Sequence, residues 1–331
     1  MPLRVGLAFA VIYVVWGSTY LGILIALESL PPFLLAGARF LVAGSLLYGF
    51  ARWRGAPMPS RAAWRGAAIL GTLMFAIGNA MIVWAETRVD SGLAALVASV
   101  TPLWIVLIDH LRRNGRRATT GKWVGVALGI AGLAILFLPD VAEAPRIDPL
   151  GAAAVLTASV SWAVGSIAAR SLSLPKDTYL ASGMTMLGGG AVLMLVATLL
   201  GEVTGFDPAT VTSRSLVAWG YLVLFGSILA FTCFTWLLAK VDPVKVGTSG
   251  LVNPLVALAL GWLVADEVIS RQALLAAAVT VVGLALILLA PEVRRQPHTG
   301  EFAAVRPASP TPAQQPTPAE LVSSGETKAA A

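Results

Sequence analysis

The chain contains 331 residues, of which 57% are hydrophobic and only 12% are charged, and its formal net charge is +6. Soluble domains carry about 25% charged residues, so this chain lacks the polar side chains that cover a water-facing surface, and we exclude a soluble fold. The basic residues lie in short loops between apolar runs. We therefore expect the lipid bilayer to be a partner of the chain and nucleic acid not to be one.

Ten apolar runs follow one another along the chain, each about 20 residues long, which is enough to cross the ~30 Å hydrocarbon core as a helix. Helices are required because lipid offers no partners for exposed backbone polar groups. The sequence therefore predicts an all-α membrane protein with ten transmembrane helices. The predicted spans are residues 5–26, 33–51, 65–85, 91–110, 123–138, 151–170, 180–200, 217–239, 246–264 and 272–290.

Landmarks of the first half return about 150 residues later, which indicates an internal duplication. Five spans is an odd number, so the second repeat is inverted relative to the first, a plan by which secondary transporters enclose a site between repeats. We predict repeats at 1–140 and 147–291, and a disordered Pro-, Ala- and Thr-rich cytoplasmic tail at 292–331. The recurring landmarks are Trp84 with Trp236, Val89-Asp90 with Val241-Asp242, and Pro102 with Pro254.

Basic residues are distributed unevenly between the loops on the two sides of the membrane. If the N-terminus is cytoplasmic, about 16 Lys and Arg residues fall on the cytoplasmic side and about four on the other. Ten spans then bring the C-terminus back to the same side. The sequence therefore predicts that both termini are cytoplasmic.

Four features fall near the middle of their predicted spans and thus at one depth in the bilayer. A proline at this depth removes a backbone donor and frees a carbonyl about four residues earlier, here near Ala98 and Gly250. Polar backbone at the midplane has to face protein or a watery cavity. We hypothesise that these features line a substrate cavity with the indoles as walls; the alternative is simple helix kinks beside packed tryptophans. The four features are Trp16, Trp162, Thr101-Pro102 and Asn253-Pro254.

Arg39 is a charged residue set about two turns inside the second span, where a buried charge is costly and is usually paired or functional. We predict that it contacts an anionic group of the substrate or a gate partner, either Glu86 or Glu28. The alternative is a structural Arg39 whose side chain reaches the interface. Asn79 in the third span is likewise interpreted in two ways: it contacts the cavity, or it forms an interhelical hydrogen bond.

A stripe of small residues opens the fifth span, where Gly121, Gly125 and Gly129 repeat every four residues. Such a stripe lets two helices approach closely. It is expected to pack against the tenth helix, with a homodimer as the alternative. The run Gly188–Gly190 in the seventh span is interpreted as a point that bends during transport.

Enzyme and cofactor signatures are missing from the sequence. The stretch from Gly115 to Lys122 has one residue too many for a P-loop, and Trp123 replaces the required Ser or Thr. His110 and His298 lack metal-ligand spacing to each other and to Cys233. We predict no catalytic residues, no metal and no cofactor. Since no acid lies at the midplane, we expect facilitated or exchange transport rather than proton coupling.

Several short motifs follow one another along the two repeats in a specific order and spacing. They are Trp16-Gly17-Ser18-Thr19-Tyr20, Ala38-Arg39-Phe40, Ser91-Gly92-Leu93-Ala94-Ala95-Leu96, Thr101-Pro102, Gly132-Leu133-Ala134-Ile135, Asn253-Pro254, Asp266-Glu267 and Gly283-Leu284-Ala285. By these motifs the chain resembles the drug/metabolite transporter superfamily, specifically its EamA-type ten-span exporters, over about residues 5–290. One departure is Asp109-His110, which stands where the family often has an acid after the fourth span, like Glu267 after the ninth.

The resemblance implies a secondary transporter of small metabolites, such as amino acids or amphiphilic drugs, in the inner membrane. The alternative function is a membrane receptor or scaffold that binds partners through the Pro-rich tail. The gate or anion contact is assigned to Arg39 and Glu86. The predicted substrate cavity consists of Trp16, Tyr20, Asn79, Thr101, Pro102, Trp162, Asn253 and Pro254.

Overall fold

The computed structural model describes residues 3–112, 118–136, 138, 148–241, 246 and 249–291. The predicted tail and the end of the first repeat lie outside these residues. Ten apolar helices occupy the described part, numbered here by span. They are α1 (Leu3–Ala26), α2 (Pro32–Trp53), α3 (Arg61–Ala85), α4 (Ser91–Leu111), α5 (Thr120–Leu136), α6 (Pro149–Ala168), α7 (Thr178–Leu199), α8 (Ser213–Tyr221, Leu222–Leu229 and Ala230–Lys240 in sequence), α9 (Ser249–Val264) and α10 (Arg271–Leu289).

The predicted all-α membrane fold with ten helices is confirmed. Eight of the helices are long and apolar enough to cross a membrane, and α5 and α9 are shorter apolar helices. Helix ends differ from the prediction by up to four residues, because polar caps rather than hydropathy set them. The start of α3, for example, is fixed by Ser60, whose hydroxyl accepts the Ala63 N–H.

Helix packing repeats itself between the two halves of the bundle. Helix α2 packs against its counterpart α7, and α5 packs against its counterpart α10. The first helix of each repeat packs on the third and fourth helices of the other repeat: α1 contacts α8 and α9, and α6 contacts α3 and α4. The first, third and fourth helices of the two repeats therefore lie between the two counterpart pairs.

The third helix of each repeat contains a π-helical segment that hydropathy did not predict. The segments are Thr72–Asn79 in α3 and Leu222–Leu229 in α8, at equivalent places in the two repeats. A π segment interrupts the regular i→i+4 hydrogen bonding and is frequent at functional sites. The duplication therefore extends to an irregular feature of the backbone.

Glycines allow the closest helix contacts of the bundle. A Cβ on Gly125 of α5 would lie 2.5 Å from the Gly283 carbonyl oxygen of α10. The small-residue stripe therefore packs against the tenth helix of the same chain, as expected. A Cβ on Gly189 of α7 would lie 2.5 Å from the Gly71 carbonyl oxygen of α3. The Gly188–Gly190 run thus serves a tight helix contact, and its bending remains a prediction.

Candidate functional site

A cluster of aromatic rings joins the two repeats at the centre of the bundle. Trp16 of α1 and Trp162 of α6 meet edge to face, with ring centroids 6.4 Å apart. Phe75, from the π segment of α3, lies 6.3 Å from Trp162 and 5.2 Å from Phe231 of α8. Phe234 lies 4.9 Å from Trp16. The two predicted indoles therefore do come together, and the phenylalanines that complete the cluster were not predicted.

Each π segment receives a side-chain hydrogen bond from the first helix of the other repeat. Trp16 Nε1 donates to the Gly226 carbonyl across 3.2 Å, and Ser161 Oγ of α6 donates to the Leu73 carbonyl across 2.7 Å. Side chains reach these carbonyls because the π turns disrupt the helical ladder. The two irregular segments are thus held by equivalent helices across the interface between repeats.

Thr101 and Pro102 begin the second half of α4, which is divided into Ser91–Ala98 and Thr101–Leu111. The carbonyl of Ala98, which we expected to be free, accepts a hydrogen bond from Thr101 Oγ1 across 2.8 Å. Pro102 is half-buried and lies near Gly250, where an added Cβ would be 3.7 Å from the proline ring. The break in α4 thus faces α9 rather than an open surface.

Asn253 and Pro254 lie within α9, which remains α-helical through the proline. Pro254 is buried, and the Asn253 carbonyl oxygen would lie 3.1 Å from a Cβ on Gly17 of α1. The Asn253 amide, oriented to satisfy its hydrogen bonds, donates to the Tyr13 carbonyl (3.3 Å) and the Ser249 carbonyl (3.1 Å). Asn253 therefore joins α1 to α9, and the two prolines are not equivalent in their local backbone.

The two remaining cavity candidates, Tyr20 and Asn79, have different surroundings. Tyr20 is half-buried and packs with the end of α3 and the start of α4, in a cluster that includes Ala85 and Leu93. Asn79 ends the π segment of α3, and its side-chain Oδ1 is buried without a hydrogen-bond partner. An unpartnered buried carbonyl favours the cavity reading of Asn79 over the interhelical hydrogen bond.

Arg39 is buried at 3% exposure, so its side chain does not reach an exposed surface of the bundle. Its Nε donates to Ser227 Oγ in the π segment of α8 across 2.8 Å, and its guanidinium carbon lies 5.0 Å from the Phe40 ring centroid. Its Nη1 has no partner. A Cβ on Gly226 would lie 2.9 Å from Nη2, so the glycine leaves the space that the guanidinium occupies.

Glu86 directly follows α3 and is also buried, at 4% exposure, with neither carboxylate oxygen hydrogen-bonded. The other predicted partner of Arg39, Glu28, instead forms an ion pair with Arg214 across 3.0 Å. Arg39 on α2 and Glu86 at the end of α3 therefore lie on two helices that pack together, without being joined in an ion pair.

Glu267, in the loop between α9 and α10, holds the start of α4. Its Oε1 accepts hydrogen bonds from the Ser91 backbone N–H (2.7 Å) and Ser91 Oγ (2.6 Å), and its Oε2 accepts the Gly92 N–H (3.0 Å). A carboxylate at a helix N-terminus is favoured by unpaired N–H groups and by the helix dipole. The acid that the family resemblance pointed to is thus a cap that links the repeats.

Two carboxyl groups in the loops have shifted pKa values. The pKa of Asp148 is lowered because Arg88 donates a hydrogen bond to it and the Leu150 and Gly151 N–H groups point at it. The pKa of Asp90 is raised, chiefly because burial disfavours its charge and secondarily because Glu267 is nearby. Asp90 directly precedes α4, and Asp148 directly precedes α6.

A groove of ≈ 630 Å³ runs between α1 and α8 on the outside of the bundle, with Leu260 of α9 at its edge. Ser18 Oγ and Tyr221 OH share a hydrogen bond of 2.5 Å within its lining. The groove is apolar apart from these hydroxyls, Ser213 and Arg214. It is a separate feature from the aromatic cluster, which is packed by its own rings.

Sequence reasoning missed the residues that hold the two π segments. Ser161, Gly226 and Ser227 are small residues in apolar runs, so their composition gives no signal. A weak signal existed, since both third spans contain a glycine followed by a polar residue, Gly78-Asn79 and Gly226-Ser227. Comparing polar residues between the repeats would have brought these pairs into view.

Comparison with known proteins agrees with this architecture. The model of the EamA-like transporter family matches residues 4–138 and 149–289. The uncharacterized inner membrane transporter YedA of Escherichia coli is 37% identical over 285 residues, covering 86% of this chain and 90% of YedA. The protein PecM of Dickeya dadantii is 32% identical over 267 residues, covering 77% of this chain and 82% of PecM.

A solved crystal structure shares the fold. Its chain is 22% identical in sequence and superposes with a TM-score of 0.61, and the match covers 86% of the present chain and 98% of that chain. At this identity the likeness concerns the fold alone. Two family matches, one on each half of a ten-helix bundle, and the YedA relationship together establish that the chain belongs to the EamA-like transporter family, whose members are transmembrane transporters and not enzymes.

Proposed function

We propose that the chain is a secondary transporter, an exporter or facilitator, that moves small organic solutes such as amino acids or amphiphilic drugs by alternating access. The observation that carries this proposal is the contact between the two repeats at the aromatic cluster. Trp16 and Trp162, the first-helix indoles of the two repeats, touch each other, and the first helix of each repeat donates a hydrogen bond to the π segment of the other. Sites of this kind lie at repeat interfaces in secondary transporters.

The aromatic cluster and the polar atoms around it would form the substrate site. The rings of Trp16, Trp162 and Phe75 supply flat apolar walls, while Asn79 Oδ1 and Arg39 Nη1 offer unpaired polar atoms. Thr101, Pro102, Asn253, Pro254 and Tyr20 lie on the helices that border this centre. Rocking of one repeat against the other would separate the indoles and open the site to one side at a time.

We infer the membrane in which the chain lies from its relatives, and its orientation in that membrane from its loops. The relationship to YedA, an inner membrane transporter by its name, supports an inner membrane location. The excess of basic residues in alternate loops supports cytoplasmic termini. The repeats extend over 1–140 and 147–291, followed by the tail at 292–331. Transport down the solute's own gradient, without proton coupling, completes the proposal.

The experiment reconstitutes the purified full chain in liposomes loaded with a mixture of amino acids, sugars and amphiphilic cations, and follows their efflux by mass spectrometry. We expect selective efflux that falls at least about fivefold in Trp16→Ala and Trp162→Ala. The control variant is Gly49→Ala, because a Cβ at Gly49 meets nothing within 4 Å. Wild-type efflux no faster than that from protein-free liposomes would refute the proposed function.

A further inference from the structure

Three buried polar side chains on α2 and at the end of α3 carry hydrogen-bonding atoms without a partner. They are Arg39 at Nη1, Glu86 at both carboxylate oxygens and Asn79 at Oδ1. The first two are ionisable groups at 3% and 4% exposure. Buried polar atoms in native proteins are nearly always hydrogen-bonded, and ionisable groups inside a membrane bundle are functional by default. A ligand that supplies the missing partners accounts for all three.

Arg39 is held in a fixed orientation that leaves one donor group free. Its Nε is fixed by Ser227 Oγ, and its guanidinium carbon lies 5.0 Å from the centroid of the Phe40 ring. Nη1 remains without a partner. A guanidinium presents its N–H groups in the geometry that a carboxylate accepts. Arg39 therefore suits the anionic end of a ligand.

Glu86 and Asn79 offer the complementary acceptors. Asn79 lies near the end of α3, and Glu86 directly follows this helix seven residues later. An ionised carboxylate and an amide oxygen accept hydrogen bonds, and an ammonium group has three N–H donors to give. The end of α3 packs against α2, the helix that carries Arg39. Glu86 therefore suits the cationic end of a ligand held between the two helices.

The two groups have opposite charges, yet the described residues contain no ion pair between them. A simple anion at Arg39 would leave both Glu86 oxygens without a hydrogen-bond partner, and a simple cation at Glu86 would leave Arg39 Nη1 without one. A zwitterion satisfies both at once without adding net charge to the bundle. Arg39 also adjoins the aromatic cluster, since it binds Ser227 while Trp16 binds the neighbouring Gly226.

We propose that Arg39 and Glu86 are the specificity-determining residues of the site and that they bind the carboxylate and the ammonium group of a zwitterionic solute. This inference rests on the proposed function and names the chemical class of its substrate. The apolar part of the solute lies against the rings beside Arg39.

The experiment uses the wild-type chain in liposomes and three matched probe sets. The sets are the twenty protein amino acids, their amides, which lack the carboxylate, and their N-acetyl derivatives, which lack the ammonium group. Glucose, glutarate and methyl viologen represent neutral, anionic and cationic solutes. We expect at least one amino acid to leave the liposomes, and at least about tenfold faster than its amide and its N-acetyl form, because each modification removes a charge-assisted hydrogen bond.

Two variants test which residue binds which charged group of the solute. Arg39→Gln is expected to abolish the preference over the amide and Glu86→Gln the preference over the N-acetyl form, while each keeps the other preference. Equal efflux of an amino acid and its blocked forms, or efflux of glucose, glutarate or methyl viologen alone, overturns the inference while leaving transport intact. Efflux of no probe at all overturns the proposed function itself. If either variant does not fold, the three probe sets on the wild-type chain still decide.

Discussion

Trp16 Nε1 lies 3.2 Å from the carbonyl oxygen of Gly226, so the first helix of one repeat satisfies a backbone acceptor in the π segment of the other. Trp16→Phe keeps an aromatic ring but removes this donor. We expect a loss of about 1 kcal/mol in the free energy of unfolding and a severalfold fall in efflux. Trp162→Phe, measured by the same thermal-shift and efflux assays, is the matched control, because it changes the equivalent indole without touching Gly226. Equal effects of the two variants would contradict the role of the hydrogen bond.

Gly71 and Gly49 are both helical glycines, but their surroundings differ. A Cβ at Gly71 would lie 2.2 Å from the Thr185 carbonyl oxygen and 2.5 Å from the Gly189 nitrogen, whereas a Cβ at Gly49 meets nothing within 4 Å. We expect Gly71→Ala to destabilise the bundle by about 1–3 kcal/mol through overpacking. Gly49→Ala should be neutral or slightly stabilising, because alanine favours the helix. Melting temperatures in detergent, measured on both variants side by side, check the difference.

Gly125 tests whether the small-residue stripe serves the single chain or a dimer. Its missing side chain makes room for Gly283 and Ile287 of α10. Gly125→Leu is expected to lower the melting temperature by several degrees, because leucine cannot fit between these backbones. The particle mass in detergent, measured by light scattering, should stay the same as for the wild type. A change of mass with an unchanged melting temperature would favour the dimer.

Asp148 should contribute a pH-dependent part of the stability. Its pKa is lowered by the hydrogen bond from Arg88 and by the N–H groups of Leu150 and Gly151. The stabilisation is therefore fully present above the ordinary aspartate pKa of about 3.9 and is lost as pH falls through the lower folded value. Asp148→Asn keeps a capping oxygen but loses the ion pair. Melting curves from pH 7 downward should show the variant below the wild type at pH 7 and the gap closing under about pH 4.

Glu267 accepts three hydrogen bonds at the start of α4, and glycines at both ends of the contact leave room for it. A Cβ on Gly261 would lie 2.1 Å from Glu267 Oε2. Glu267→Ala and Gly261→Ala are therefore expected to have similar effects, each lowering stability by about 2–3 kcal/mol, because hydrogen bonds to a charged group are lost. Asp266→Gly is the control, since Asp266 has a φ of 54°, which glycine adopts without strain. A stable Gly261→Ala variant would show that the cap does not matter.

The ten helices and the duplication were predictable because apolar length and repeated landmarks report directly on membrane spans. The same reasoning located Trp16 and Trp162 at one depth, and their rings meet. It failed for details of the backbone on which hydropathy does not report. The expected free carbonyl of Ala98 is occupied by the nearby Thr101 hydroxyl, and the two π segments leave no mark in hydropathy.

Arg39 shows the limit most clearly. Its position in the chain indicated a shallow depth, yet its side chain is buried because Gly226 and Ser227 of the other repeat receive it. Gly226 and Ser227 form this environment, although Ser227 lies 188 residues after Arg39 in the sequence. A single sequence cannot reveal such a pairing, because neither small residue carries a chemical signal of its own.

The Glu267 contact joins the two repeats directly. The loop after α9 belongs to the second repeat and α4 to the first, so one carboxylate holds the repeats together at the end of the bundle where α4 begins. Separating the repeats at that end requires Ser91 and Gly92 to release the carboxylate in a single step, because its two oxygens accept all three hydrogen bonds.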